Sequence, residues 1–377
     1  MFKKIGELSR TELNGKKVFL RVDFNVPIEG GELKEIYRIK AHKETIDFLI
    51  SAGARVALAS HIDGSFKDVT GEINKIVGHE VVFEEDILNP KLESQLALFE
   101  NIRKYEGEEK NDKSFALSLS KNFDLYVNDA FSVSHRDHTS IVGITGFLPS
   151  YAGFLIEKEI NNLDKVLNAP AEGKTVILGG AKISTKLPVI KNFLDKAENI
   201  LIAGVLTNVI LKFKGIKVGR SLVEDSGIDD VLRDINFNDP KIFLPKDILV
   251  SKDKSGKTSP EVLLIQDLED DQYILDIGPE TIKQFSEIIK DSKIVIFNGP
   301  LGLAEVDAFA VGTKIVLDSI IRSKAFSVVG GGNSLAFIEK LNLFSKFSYA
   351  STGGGAMLEF LAGNKLPGLG ALGYYGK

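Results

Sequence analysis

The sequence contains no cysteine in its 377 residues. Disulfides and thiolate metal sites are therefore excluded, and a reducing compartment is compatible with the chain. No apolar run approaches membrane-spanning length, and the opening residues MFKKIGELSR hold no apolar core of a signal peptide. Together these absences predict a cytoplasmic protein. Low-complexity blocks and internal repeats of solenoid length are missing too. There is no G-x-x-x-x-G-K-[ST] loop, which excludes an ordinary P-loop NTPase. No G-x-G-x-x-G follows the first predicted strand with an acidic residue about twenty positions on, which removes the dinucleotide-dependent dehydrogenases. An H-E-x-x-H metal motif is absent as well. Basic residues number 47 against 52 acidic ones, a net charge of −5. A general nucleic-acid surface does not fit that balance, so an anionic ligand must be held by local basic clusters.

What is present is a globular composition, 44% hydrophobic and 26% charged, at a length that suits two domains. Strand-like runs (KKVFLRVDF, ARVALAS, EVVFEED and FDLYVND, then KTVILGG, ENILIAG, KIFLPKD, KIVIFNG, AFSVVGGG and KFSYASTGGG) alternate with helical patterns such as AHKETIDFLISAG. That alternation predicts α/β architecture with parallel sheets. SYAGFLIEKEINNLDKVLNAP predicts one long amphipathic helix over about 151–168, a hinge between domains 1–168 and 169–363. The Gly-rich tail, about 364–377, carries apolar anchors suited to packing back on the first domain.

Ligands of open parallel sheets bind at the carboxyl ends of the strands, and polar residues gather there. VFLRVDFNVP carries Arg21, Asp23 and Asn25 on alternate positions, a pattern that a half-exposed strand would also produce. ALASH ends in His61, and YVNDAF in Asn128 and Asp129. Arg38, Arg103 and Arg136 lie near these ends, and the planar fork of arginine suits phosphate and carboxylate. For His61 and His135 a metal role is unsupported, and hydrogen bonding to a substrate oxygen stands about level with a helix-capping or packing role. In the second half, LGGAKISTK, VVGGGNSLAF and YASTGGGAMLEF each run from a strand through glycines into a helix. Such turns present backbone N–H groups at a helix N-terminus, where phosphate is favoured. The first also carries Lys182 and Lys186.

RVDFNVP, NDAFSVSHRDHTS, GGAKISTK, LDIGPET, NGPLGLAE, GGGNS and STGGGAMLEFLAGNKLPG, in that order, resemble the phosphoglycerate kinase family over nearly the whole chain. The resemblance implies two Rossmann-like α/β domains facing a central cleft. It also implies reversible phosphoryl transfer from 1,3-bisphosphoglycerate to ADP, giving 3-phosphoglycerate and ATP, in line and on domain closure. Asp23, Phe24, Asn25, Arg38, His61, Arg103 and Arg136 would then form the phosphoglycerate site, with Val22 and Phe24 packing into the sheet and Arg21 supporting the shell. Lys182, Lys186, Asn298, Pro300, Glu305, Gly331, Gly332, Asn333 and Ser334 would form the nucleotide site, with Glu305 on the ribose. Arg38, Lys182 and Gly354 would be the catalytic groups. The resemblance further implies Mg²⁺ with ATP or ADP, a monomer, and no nucleic-acid or membrane partner. A non-catalytic binding protein that keeps the fold is the alternative.

Four positions depart from the family pattern. SHIDGS stands where S-H-L-G-R-P is usual, so one arginine is missing and Asp63 adds negative charge, with Lys67 two residues beyond the turn. GGGNS has Asn333 for the usual acid, a neutral oxygen as the candidate metal ligand. In IAGVLTN, Ala203 and Val205 are expected to thicken the wall beside the nucleotide base. In FNGPLGLAE, Phe297 and Ala304 are expected to alter packing more than chemistry.

Overall fold

Strand Lys17–Arg21 is buried on both faces: Val18, Phe19 and Leu20 are inaccessible to solvent. Continuous burial of this kind belongs to the middle of a parallel sheet covered by helices on both sides. The computed structural model, which describes residues 2–224 and 227–376, places it there. It pairs in parallel with Arg55–Ala59 on one side and Leu125–Asn128 on the other. Leu96–Phe99 and then Val82–Glu84 extend the sheet beyond Arg55–Ala59, and Ser150–Ala152 closes the far edge. The chain thus leaves the first strand in one direction and later returns to build the other. The carboxyl ends of Lys17–Arg21 and Leu125–Asn128 flank the point where the direction reverses, the usual ligand crevice of such a sheet.

A second six-stranded parallel sheet runs Ile242–Phe243, Asn199–Ile202, Lys174–Leu178, Ile294–Asn298, Phe326–Gly330, Tyr349–Ser351. Here the reversal lies between Lys174–Leu178 and Ile294–Asn298. An antiparallel three-stranded sheet, Glu261–Leu264, Asp247–Ser251 and Tyr273–Ile277, accompanies it. The chain divides into two compact units, Met1–Asn161 with Lys365–Lys377, and Asn162–Asn364.

The long helix spans Phe154–Asn168, a later start than the sequence pattern suggested. Ser150, Tyr151 and Ala152 are drawn into the first sheet by pairing with Tyr126–Asn128, and the Gly153 N–H donates to the Asn128 carbonyl at 2.8 Å. In the tail, helix Pro367–Ala371 is held by the Gly368 N–H donating to Ser134 O at 2.9 Å. A Cβ on Gly368 would lie 2.7 Å from Ile141, so only glycine fits this contact. Among the described residues no helix is long and apolar enough to cross a membrane.

Candidate functional site

The alternation of Arg21 and Asp23 does not come from a half-exposed strand, because both are buried, at 1% and 3% exposure. The strand ends at Arg21, and Asp23 and Asn25 lie in the loop at the reversal point of the first sheet. Asp23 Oδ2 accepts from Arg38 at 2.7 Å and from the Ser132 hydroxyl, while Arg38 also donates to the Asn25 carbonyl at 2.8 Å. Arg38 thereby fixes both ends of the D-F-N turn. Burial would raise the Asp23 carboxyl, but Arg38, then His61 and Ser132, outweigh it and hold the group at about 2. Asp23 is thus an anion at any neutral pH.

Arg21 makes no direct ion pair among the described residues. It donates to Ser140 Oγ at 2.8 Å and to the Val22 carbonyl, with a longer contact of 3.4 Å to His61 Nδ1. A guanidinium can only donate, so Nδ1 of His61 bears a lone pair and the proton sits on Nε2. Burial and the charge of Arg21 push His61 down to about 3. His61 is therefore neutral, with its N–H on Nε2, and not a cation. Ser140 also donates to Glu108 at 2.6 Å, a fully buried carboxyl raised by its desolvation.

Arg103 is solvent-facing and 3.3 Å from Glu109, and its charge is felt at His61, Arg21 and Glu108. Arg136 is exposed and its charge reaches His138. The structure therefore gathers Arg21, Asp23, Arg38, His61 and Arg103 into one electrostatic neighbourhood. Phe24 is different: its ring is buried in the hydrophobic core, and its main-chain N–H donates to Ser60 Oγ at 2.8 Å. Asp63 in the SHIDGS turn and Lys67 beyond it are both exposed, and neither forms an ion pair among the described residues.

In the second unit the reversal point opens on a cavity of about 340 Å³. Its wall includes Gly180, Gly204, Val205, Pro300, Glu305 and Asn333. The strand ends around it approach at main-chain distance. The Gly180 N–H donates to the Pro300 carbonyl at 2.6 Å, and a Cβ on Gly179 would stand 2.2 Å from that same oxygen. Of the two residues expected to thicken the wall, Val205 lines the cavity, whereas Ala203 is buried behind it, donating to Leu178 O at 2.9 Å. Phe297 is buried within its strand and Ala304 is nearly so, both as packing residues.

Lys182 caps helix Ile183–Phe193 in a left-handed conformation, φ 60° and ψ 60°, with its side chain exposed. Such a backbone is unfavourable for a non-glycine residue and is tolerated where a site needs it. Lys186 is buried on the same helix and donates to the Ala181 carbonyl. Burial, followed by the charge of Lys182, pushes its ammonium down to about 8. One N–H of the helix N-terminus is already paired: that of Ile183 donates to Glu224 Oε2 at 2.8 Å.

Gly331 caps helix Gly332–Lys340, and Asn333 is exposed with its amide nitrogen 3.5 Å from Glu305 Oε1. Ser334 is turned inward and accepts from the Gly299 N–H at 2.9 Å, so it braces the loop and does not face the cavity as a donor. Asn298 is buried against Met357. Gly354 opens helix Gly355–Leu361 at φ 50°, ψ −114°.

The chain matches the family profile described as phosphoglycerate kinase over residues 8–364. It is 41% identical to the phosphoglycerate kinase of Finegoldia magna, over 96% of this chain and 97% of that one, and 39% identical to that of Moorella thermoacetica, over 97% and 98%. The chain belongs to the phosphoglycerate kinase family. Solved family structures agree. That from Pyrococcus horikoshii superposes with a TM-score of 0.86 at 32% identity over 98% of both chains, and that from Coxiella burnetii with 0.84 at 30% over 100% of both. As a member the chain is a phosphotransferase acting on phosphoglycerate and adenine nucleotide, and none of these relatives supports the non-catalytic alternative.

Sequence reasoning passed over four groups that the structure brings to these sites. His42 and Ser132 contact Asp23, Glu224 occupies the helix N-terminus, and Asp276 lies in the cavity wall. Burial pushes Asp276 up to about 7 although it accepts the N–H groups of Gly312 and Ile277 at 2.7 and 2.9 Å. Ser132 and Asp276 stand inside the motifs NDAFSVSHRDHTS and LDIGPET, whereas Glu224 and His42, which lies between helices Tyr37–Lys40 and Lys43–Ser51, left no local signal.

Proposed function

We propose that the first unit binds the phosphoglycerate and the second the nucleotide, each at the reversal point of its sheet. The observation that carries this reading is the contrast between the two places. One gathers arginine side chains around the buried carboxyls Asp23 and Glu108. The other offers a cavity walled by main-chain turns, with Lys182 and Lys186 at the start of the helix that follows Gly180 and Ala181.

In the direction of ATP use, a carboxylate oxygen of 3-phosphoglycerate attacks the γ-phosphorus. The bond from that phosphorus to the oxygen bridging to the β-phosphate breaks, and its electron pair leaves with ADP. The nucleophile is already ionised, so the site needs positioning and charge neutralisation and no general base. Asp23 and Asn25 orient the glycerate oxygens, and neutral His61 donates Nε2–H. Arg103 and Arg136 meet the distal phosphate, while Arg38 and Lys182 face the charge on the transferring group. A coupled assay with 3-phosphoglycerate, ATP and Mg²⁺ tests the reading. Saturable turnover is expected; no product with Mg²⁺ or Mn²⁺ and with any nucleotide would sink it.

Magnesium fits this donor set if it travels on the phosphates and its own waters, since Asn333 offers only a neutral oxygen beside Glu305. Its chemistry there is to neutralise the β- and γ-phosphate charge. Asn333→Asp adds a charged hard ligand at the same place, and it is expected to lower the Mg²⁺ concentration for half-maximal rate by about fivefold. An unchanged magnesium titration would remove Asn333 from the metal's surroundings.

Lys186 sets an expected pH dependence. Its pKa is lowered to about 8, so the ammonium is charged below that value and neutral above it. KM for the nucleotide is therefore expected to rise as pH climbs through about 8, with KM for phosphoglycerate level across the same range. Lys186→Met should give a high nucleotide KM that no longer changes there. A wild-type nucleotide KM that is flat between pH 7 and pH 9 would show that the Lys186 charge does not reach the phosphates.

A further inference from the structure

The side chain of His42 makes two hydrogen bonds whose directions fix each other. The Asp23 N–H lies 2.9 Å from His42 Nε2. An amide nitrogen only donates, so Nε2 must present its lone pair. The ring is then neutral with its proton on Nδ1, and that N–H donates to Asp129 Oδ2 at 2.8 Å. The other Asp129 oxygen accepts the Leu155 N–H at 2.9 Å, in the first turn of helix Phe154–Asn168. The whole chain of contacts is dry: the side chains of His42 and Asp129 are 1% and 0% exposed. It is also tight, because a Cβ on Gly153 would stand 2.1 Å from Asp129 Oδ1.

We propose that His42 is a positioning residue through which the Asp23–Arg38 turn and the start of helix Phe154–Asn168 hold each other in register. That helix carries the chain from one compact unit into the other. The inference rests on the acid-binding reading of Asp23. A ligand that settles the Asp23 main chain steadies the N–H received by Nε2. The same rigid ring then holds Asp129, which holds the first helical turn. Both bonds of the ring are needed, and packing alone does not replace them.

Two substitutions separate the halves. His42→Gln sets an amide where Nε2 stood, able to accept from Asp23 but not to reach Asp129. His42→Asn sets its amide where Nδ1 stood, able to donate to Asp129 but not to meet Asp23. Amide hydrogen exchange on the full chain, with and without 3-phosphoglycerate, reads the link at Leu155. In the wild type the ligand is expected to slow that exchange roughly tenfold. Neither variant should show the slowing, although calorimetry finds the acid still bound. Loss of the Asp23 bond in His42→Asn should also raise KM for 3-phosphoglycerate roughly tenfold, with KM for MgATP unchanged, and the rise should be smaller in His42→Gln.

Equal slowing in both variants and the wild type would overturn the proposal. So would a wild-type nitrogen NMR spectrum showing the His42 proton on Nε2, a measurement that stands even if neither variant folds. A wild type that does not bind 3-phosphoglycerate at all would bring down the acid-site reading itself, a different failure from a wild type that binds without slowing.

Discussion

Arg38→Ala is expected to lower kcat by about 10²–10³-fold while the protein still folds. The loss follows from two roles of one guanidinium. On the proposed reading it supplies positive charge to the transferring group, and removal of one such stabilising group costs about that factor. It also holds the D-F-N turn by its bonds to Asp23 Oδ2 and the Asn25 carbonyl. Truncation leaves Asp23 buried with Ser132 as its remaining side-chain donor, at a stability cost of about 2 kcal/mol.

The sign of the accompanying pH effect is fixed. Asp23 is held at about 2 from an ordinary 3.8, so its contribution to stability is complete above 3.8 and is lost as pH falls toward 2. Without Arg38 the carboxyl moves back up, and acid unfolding should begin at higher pH. The double substitution Arg38→Ala with Asp23→Asn removes the stranded charge and should recover much of the stability and none of the turnover. Arg38→Lys should fall between, because one ammonium cannot span both acceptors as the planar fork does. Measuring kcat beside thermal midpoints separates the two roles. A kcat within about fivefold of wild type in Arg38→Ala would remove Arg38 from the transferring group.

Gly354→Ala is the second large expected effect, a fall in kcat of about a hundredfold. The position sits at φ 50°, ψ −114°, where a side chain is strained whatever space surrounds it. Nothing lies within 4 Å of an added Cβ, so no clash would account for the damage. The cost is borne by the turn itself, whose amides meet the transferring phosphoryl on the proposed reading, and a shift of about 1 Å there is enough to lose alignment. Gly146→Ala is the matched control: it too has open space, without a positive φ, and lies outside both proposed sites. Comparable losses at both positions would show that the Gly354 conformation is not what matters.

The sequence patterns were most informative where both ends of a claim lie close together in the chain. Each quoted strand run appears as a strand, because a buried parallel strand needs only a short continuous apolar segment. Leu96–Phe99, a short apolar run, raised no expectation of a strand. The antiparallel strands Asp247–Ser251, Glu261–Leu264 and Tyr273–Ile277 gave no expectation, since Glu261–Leu264 is mostly exposed and lacks alternation. The helix start at Phe154 was missed by a few residues because edge pairing, not propensity, claims Ser150–Ala152.

The site divides in the same way. The motifs identified which residue types stand at the strand ends, and hence the arginine-bearing and glycine-bearing halves. They could not tell that Ser334 turns inward to Gly299, or that Glu224 meets the Ile183 N–H, because those partners are 35 and 41 residues apart. Nor could they show that Asp23 and Arg21 are both dry, since burial depends on how helices cover the sheet and not on the alternation of the strand. The sequence alone determined the family, the parallel α/β class and the chemical character of each half. Tertiary structure alone decided the protonation of Asp23, His61 and Lys186 and the link from His42 to Asp129. Those properties are set by desolvation and by partners such as Asp129, 87 residues from His42, which only the folded chain brings within reach.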